Sequence, residues 1–272
     1  MNNFFIRTLT AGAFVAILLG CTFYGQLSFS ILFLVITILG LLEFYSLVEK
    51  ANAKPLKIIG TAIGALFFAA NSAVCMNVFK YQMLLIFIPI IFLVFIIELF
   101  LKKENPFANI AFTILGILYV ALPFSLLNYI LTYSGNYSYQ LLFGVFFILW
   151  SNDSGAYLAG VTMGKHKIFP RVSPKKSWEG SIGGTIASFI VAYIISGWYT
   201  SIQFVDWMVI AAILVVMGTL GDFVESLFKR SVDIKDSGNI LPGHGGILDR
   251  FDSLIMAIPF VFTYLYLMKY LA

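Results

Sequence analysis

The chain has 272 residues, of which 60% are hydrophobic and 11% charged, against about 25% charged in an ordinary soluble domain. So few charges cannot clothe a water-soluble surface of this size, which excludes a soluble globular protein and requires lipid around most of the chain. Seventeen Lys and Arg against thirteen Asp and Glu give a net charge of +4, a mild basicity that suits anionic lipids or nucleotides but is not diagnostic; no nucleic-acid partner is expected.

A helix needs about 20 mostly apolar residues to cross a bilayer. Windows of that kind fall at 4–24, 27–48, 57–76, 81–101, 107–130, 139–160, 180–199, 204–228 and 252–271. The first resembles a signal peptide but lacks a cleavage site and is followed by further spans, so it is read as a span itself. The expected fold is therefore an all-α polytopic membrane protein of about nine transmembrane helices in one integral membrane domain over residues 1–272. Residues 1–135 form the N-terminal hydrophobic helices, and residues 136–272 the C-terminal helices and loops.

Cys21 and Cys75 sit in apolar surroundings with no CxxC spacing, so neither a disulfide framework nor a zinc site is expected. Only two breaks between spans, Gly164 to Ser177 and Lys229 to Gly246, are longer than turns. With the N-terminus inside, fifteen of the seventeen basic residues fall on the cytoplasmic side and only Lys80 and Lys269 on the other, a strong positive-inside bias. Both long polar segments then face the compartment that holds nucleoside triphosphates.

Acids are uneven along the chain. Four, Glu43, Glu49, Glu98 and Glu104, lie in the first half, and the other nine lie beyond residue 150. Asp153 sits in an apolar span, flanked by Ser151, Asn152 and Ser154, where a lone carboxylate costs about 2.5–3.5 kcal/mol. Asp222, Glu225 and Lys229 are spaced i, i+3, i+7, and Asp249 and Asp252 i, i+3, so each set shares a helix face. Ionised carboxylates gathered in low dielectric require a cation, and magnesium, which takes a few carboxylates plus substrate phosphates, is the natural one. The plainer alternative has Asp252 capping its helix and Glu225 pairing with Lys229.

The first polar segment carries Arg171, Lys175, Lys176, Ser173 and Ser177 before Trp178-Glu179-Gly180. Its lysines suit phosphate, and Ser177 is placed to cap the next helix, whose N-terminal amides attract anions. An ordinary basic loop gripping lipid headgroups is the competing reading. In the second segment, Pro242-Gly243-His244-Gly245-Gly246 permits positive φ and close approach of backbone N–H groups to a ligand. Neither a Walker loop nor a GxGxxG loop is present.

From Ser226 through Lys229-Arg230, Lys235-Asp236, Pro242-Gly-His-Gly-Gly to Asp249-Arg250-x-Asp252, the sequence resembles the signature of the phosphatidate cytidylyltransferases. Ser173-Pro-Lys-Lys-Ser-Trp-Glu-Gly and the polar patch at Asp153 resemble the family too, whereas residues 1–140 match only in being hydrophobic. The resemblance implies an enzyme that joins CTP to phosphatidic acid, giving CDP-diacylglycerol and pyrophosphate. It implies a homodimer among membrane lipids in the plasma membrane of a bacterium, with a magnesium-dependent site facing the cytoplasm and a second cation such as potassium beside the first.

By residue, the resemblance makes Asp222 and Asp249 the metal ligands and places Lys229 and Arg250 with them as catalytic groups. Asp153, Lys175, Lys176, Ser177, Glu179, Ser226, Arg230, Lys235, Asp236, His244, Gly245, Gly246 and Asp252 would contact substrate. His244 is expected to meet phosphate or shape its loop rather than act as a base, and His166 to be merely solvated. A CDP-alcohol phosphotransferase is disfavoured because its DGxxAR pattern is missing. A transporter with ion-conducting acids is the rival of a different class.

Overall fold

The computed structural model describes residues 3–234, 236–238 and 245–271, with backbone alone for residues 3–7. It is almost entirely helical. In chain order come α1 (Asn3–Tyr24), α2 (Gln26–Lys50), α3 (Lys57–Cys75), a short 3₁₀ turn (Tyr81–Ile86) leading into α4 (Phe87–Leu101), and α5 (Pro106–Gly116). A π-helical stretch (Ile117–Ala121) joins α5 to α6 (Leu122–Leu131). Then follow α7 (Gln140–Met163), strands β1 (Lys167–Phe169) and β2 (Ser173–Ser177), α8 (Trp178–Trp198), α9 (Phe204–Ser231) and α10 (Leu248–Leu271).

Among the described residues, eight helices are long and apolar enough to cross a membrane, and Thr8–Tyr24 is a shorter apolar helix before them. The all-α polytopic membrane fold read from the sequence is thus the fold observed. The single span expected at 107–130 is α5, the π turn and α6 running together over Pro106–Leu131. On α4, Ile88, Phe92, Leu99 and Phe100 are all exposed, the apolar exterior that a lipid environment favours.

The chain separates into two compact units, residues 1–132 with 231–251, and residues 133–230 with 252–272. In the first, α2 is the central helix, its Phe29, Phe33, Leu41, Tyr45 and Val48 fully buried. The Tyr45 hydroxyl donates to the Thr113 carbonyl at 2.7 Å. Phe251, at the start of α10, packs edge-on against Phe14, Phe33 and Phe124 with ring centroids 5.3–6.0 Å apart. The segment 231–251, which sequence order groups with the C-terminal helices, therefore belongs with α1–α6.

In the second unit α7 and α8 lie almost backbone to backbone. A Cβ on Gly184 would stand 2.6 Å from the Asn152 carbonyl, and one on Gly155 would stand 2.8 Å from that of Gly183. Small residues allow this approach, and where lipid replaces water as solvent, close van der Waals contact is what holds helices together. Ser188 adds a hydrogen bond from its hydroxyl to the Ile148 carbonyl at 3.2 Å. α9 meets α10 in the same way, a Cβ on Gly221 falling 2.6 Å from the Asp252 carbonyl.

Between α7 and α8 the polar segment is an antiparallel hairpin pairing Lys167 with Ser177 and Phe169 with Ser173. The sequence reading has only a loop there. The strands are short and lack the apolar alternation by which a strand announces itself. The hairpin is fastened to α9 by Phe169, whose ring meets Phe223 edge-on at 5.3 Å.

Candidate active site

Within the second unit, α7, the hairpin, α8, α9 and α10 enclose a cavity of about 530 Å³. Asp153, Lys175, Lys176, Ser177 and Asp222, all named from the sequence, line it together with Asn152, Tyr157, Lys167, Ser181, Thr219 and Ser253. The polar patch in α7, the basic hairpin and the acidic end of α9 thus open onto one space.

Lys176 Nζ lies 2.6 Å from Asp222 Oδ2 and 4.7 Å above the Phe223 ring, so one ammonium serves both the carboxylate and the aromatic face. The other Asp222 oxygen accepts a hydrogen bond from Ser226 Oγ at 3.2 Å, one turn along α9. Asp252 feels Asp222 and Asp153 as like charges, with Lys176 as the opposing one. Carboxylates of α7, α9 and α10 thus lie within electrostatic reach of one another, with Lys176 the opposing charge.

Ser177 does cap α8, its Oγ accepting from the Gly180 N–H at 3.2 Å. Glu179, also named as a substrate contact, has partners within the chain. Its carboxylate accepts from the backbone N–H groups of Lys165 and His166 at 3.1–3.2 Å and meets His166 Nδ1 at 2.6 Å. It clips the end of α7's loop to the start of α8, and His166, expected to be merely solvated, is its partner.

Lys229 forms an ion pair with Glu225 at 2.6 Å, one turn apart on α9. Both side chains are largely buried, at 12% and 3% exposure. The plainer sequence reading of Glu225 therefore holds geometrically. Arg230, Asp236 and Arg250 are exposed. Lys235 and His244 lie outside the described residues.

Asp249 sits in the first unit. Its Oδ2 accepts three hydrogen bonds, from the Ser237 N–H and hydroxyl, both at 2.9 Å, and from the Gly246 N–H at 2.8 Å. Gly245 has φ +82°, and a Cβ there would stand 2.5 Å from the same oxygen, so glycine is required twice over. The carboxylate thus gathers both flanks of the glycine-rich segment.

Beside it lies a residue that the sequence reading counted but assigned no role, Glu43 of α2. It is buried, and its Oε2 accepts from the Leu248 N–H at 2.8 Å. A carboxylate inside an apolar span was the available signal. Its position 205 residues before its partner and the scarcity of acids in the first half hid it. Among the described residues no group of three or more His, Cys, Asp or Glu side chains stands ready-made to hold a metal ion.

The sequence matches the cytidylyltransferase family over residues 5–268. The chain belongs to that family. Among curated relatives of this cytidylyltransferase, a protein of Bacillus subtilis (strain 168) named phosphatidate cytidylyltransferase is 33% identical over 94% of this chain and 95% of its own length. One of the same name from Staphylococcus aureus (strain COL) is 35% identical over 93% of this chain and 96% of its own. A third, from Staphylococcus haemolyticus (strain JCSC1435), is 43% identical over a shorter stretch, 58% of this chain and 60% of its own length. The match takes in the signature segment and also the N-terminal helices, whose sequence resembles the family only in being hydrophobic.

Proposed function

We propose that this cytidylyltransferase transfers the cytidylyl group of CTP to phosphatidic acid, forming CDP-diacylglycerol and releasing pyrophosphate. The observation that carries the reading is the cavity in which Lys175, Lys176, Asp222 and Asp153 meet among apolar helices. It offers positive charge for phosphates beside acids suited to a hard cation, within a protein whose surroundings hold the lipid substrate.

In the reaction, an oxygen of the lipid's phosphate monoester attacks the α-phosphorus of CTP, a new P–O bond forms, and the bond to the β-phosphate oxygen breaks. The electron pair leaves with pyrophosphate. The attacking phosphate is already ionised, so no strong general base is needed, and positioning and charge neutralisation dominate. Lys175 and Lys176 hold phosphate oxygens. Ser177 keeps the start of α8 in register with them.

The donor chemistry fits magnesium, since the cavity's acids are hard oxygen ligands and magnesium completes its shell with waters and substrate phosphates rather than a full protein cage. Asp222 is the cavity's ligand for that ion in this reading, with Asp153 lining the same cavity. Asp249 is the second ligand that the signature implies. Bound magnesium supplies charge neutralisation on the triphosphate, and potassium is its proposed companion.

The N-terminus and the polar segments are assigned to the cytoplasmic side of a bacterial plasma membrane on the positive-inside bias, with the enzyme working as a homodimer. A diacyl substrate stays in the bilayer because each buried methylene is worth about 0.8 kcal/mol, so its headgroup enters from the side. The test is pyrophosphate release by purified protein in detergent. Release that requires CTP, phosphatidic acid and Mg²⁺ together supports the reading. Release with CTP alone, or no CDP-lipid at all, overturns it.

A further inference from the structure

Besides its charged groups, the cavity is lined by three neutral polar side chains that the reaction does not otherwise use, Asn152 of α7, Thr219 of α9 and Ser253 of α10. Elsewhere in the chain a hydroxyl on an apolar helix bonds back to the carbonyl one turn earlier, as those of Thr22, Thr37, Ser125 and Thr185 do at 2.6–2.7 Å. Thr219 and Ser253 do not, and neither hydroxyl has a hydrogen-bond partner among the described residues. The Asn152 amide has none there either, although the residue is only 7% exposed. Such groups, left unpaired in apolar surroundings, cost free energy, and the space beside all three is the cavity.

Their height along the helices is fixed by packing. A Cβ on Gly218 would stand 3.1 Å from the Leu149 side chain and 3.5 Å from that of Ser253, so α7, α9 and α10 meet at the level of Gly218 and Thr219. That level is about 5 Å, one helical turn, nearer the middle of α9 than Asp222. Asn152 stands one turn along α7 from Leu149. The hairpin lysines lie at the other end of the cavity, where α7 ends and α8 begins. On one side the cavity reaches the apolar exterior of α7, because Tyr157 and Val161 line it and are still 70% and 69% exposed.

Resting on the reading of the chain as an enzyme of phosphatidic acid, we infer that Asn152, Thr219 and Ser253 determine specificity by donating hydrogen bonds to the glyceryl ester carbonyls of the lipid. A lipid that enters past Tyr157 and Val161 and sets its phosphate at Asp222 and Lys176 carries its ester groups only a few bonds behind, toward the apolar middle of the helices. There the carbonyls have left interfacial water, and donors must replace it. Hydroxyls and an amide N–H₂ supply them without adding charge. A nucleotide arriving from water meets the hairpin lysines first, at the opposite end. The enzyme is thereby built for diacyl rather than dialkyl glycerol phosphates.

The experiment measures CDP-lipid formation by purified protein in mixed micelles, with diacyl phosphatidic acid and with its dialkyl ether analogue of equal chain length, which keeps phosphate and chains but has no carbonyl. Wild type is expected to favour the diacyl lipid about tenfold in kcat/KM. Asn152→Leu and Thr219→Val are each expected to lose most of that preference by falling on the diacyl lipid, with the dialkyl rate within about twofold of wild type and KM for CTP unchanged. Thr185→Val is the control, since the Thr185 hydroxyl bonds within α8 at 2.7 Å and the residue does not line the cavity; it should keep the preference. Should Asn152→Leu not accumulate folded, Ser253→Ala, the smallest change of shape, is read in the same way. Equal use of the two lipids by wild type overturns the inference, and so does an equal fall on both lipids in the variants, which would mark a packing role. A raised KM for CTP with weaker rejection of UTP, at an unchanged lipid ratio, would give these groups to the base and overturns it too. No CDP-lipid from either lipid strikes the functional reading itself, and the inference with it.

Discussion

Lys176 holds Asp222 at 2.6 Å across the hairpin and α9, and both side chains remain about one-third exposed to the cavity, at 28% and 34%. An ammonium in that place balances the Asp222 charge when no other cation does. It is also the group best placed to turn toward a phosphate. Asp222→Asn keeps shape and hydrogen bonding but removes the charge on which both roles depend.

Asp222→Asn is therefore expected to lower CDP-lipid formation about a hundredfold or more with the melting temperature nearly unchanged. The control is Asp206→Asn. Asp206 caps the Gln203 N–H at 3.0 Å and accepts from the Tyr264 hydroxyl at 2.8 Å, and it does not line the cavity. Its substitution should leave turnover within about twofold, at a stability cost of about 1 kcal/mol for the weakened cap. Near-normal turnover in Asp222→Asn, assayed with radiolabelled CTP, would remove the metal assignment.

Asp249→Asn separates a structural staple from a metal ligand. Its Oδ2 gathers three donors, and one Asn oxygen can still accept from them while the charge is gone. A staple alone predicts a modest stability loss with turnover largely kept. The expected outcome is a hundredfold or greater fall in turnover that added Mg²⁺ does not restore, read from initial rates across a magnesium titration.

Much of the fold is legible in the sequence because bilayer thickness sets the length of a helix. The spans read at 139–160 and 204–228 are α7 over Gln140–Met163 and α9 over Phe204–Ser231, and the Ser177 cap follows from a hydroxyl standing before a helix. The last span begins earlier than its apolar window, at Leu248 instead of 252, because Glu43 and Asp249 satisfy amides that hydropathy does not weigh. The hairpin at 167–177 escapes notice because a short polar strand has no pattern to show. Of the candidate site, Asp153, Lys176 and Asp222 are legible as charges that an apolar chain would not carry without use. Glu43 is not, because its partner amide is distant in sequence and no local spacing records the pairing.

Gly184→Val tests the packing that sets the cavity wall. The added Cβ would meet the Asn152 carbonyl at 2.6 Å and Asn152 Oδ1 at 2.7 Å, both on α7 beside Asp153. Backbone cannot give way as a flexible side-chain tip does, so α8 must move outward. Overpacking of this kind costs about 1–3 kcal/mol. The expected result is a lower melting temperature in detergent together with a raised KM for CTP, whereas Gly197→Val, with nothing within 4 Å of its Cβ, should change neither by much.

The family resemblance makes Lys229 a catalytic group, yet it is also the ion-pair partner of Glu225, whose side chain is only 3% exposed. Lys229→Ala alone therefore mixes two losses, since it strips a buried carboxylate of its counter-charge, a change that costs about 3–5 kcal/mol in a buried pair. The double substitution Lys229→Ala with Glu225→Gln removes both charges and should recover most of the melting temperature. If Lys229 also meets substrate, KM for CTP stays raised in the double variant as in the single one. Recovery of KM along with stability would confine Lys229 to its pair on α9. A melting curve and a CTP titration on the same three preparations decide between them.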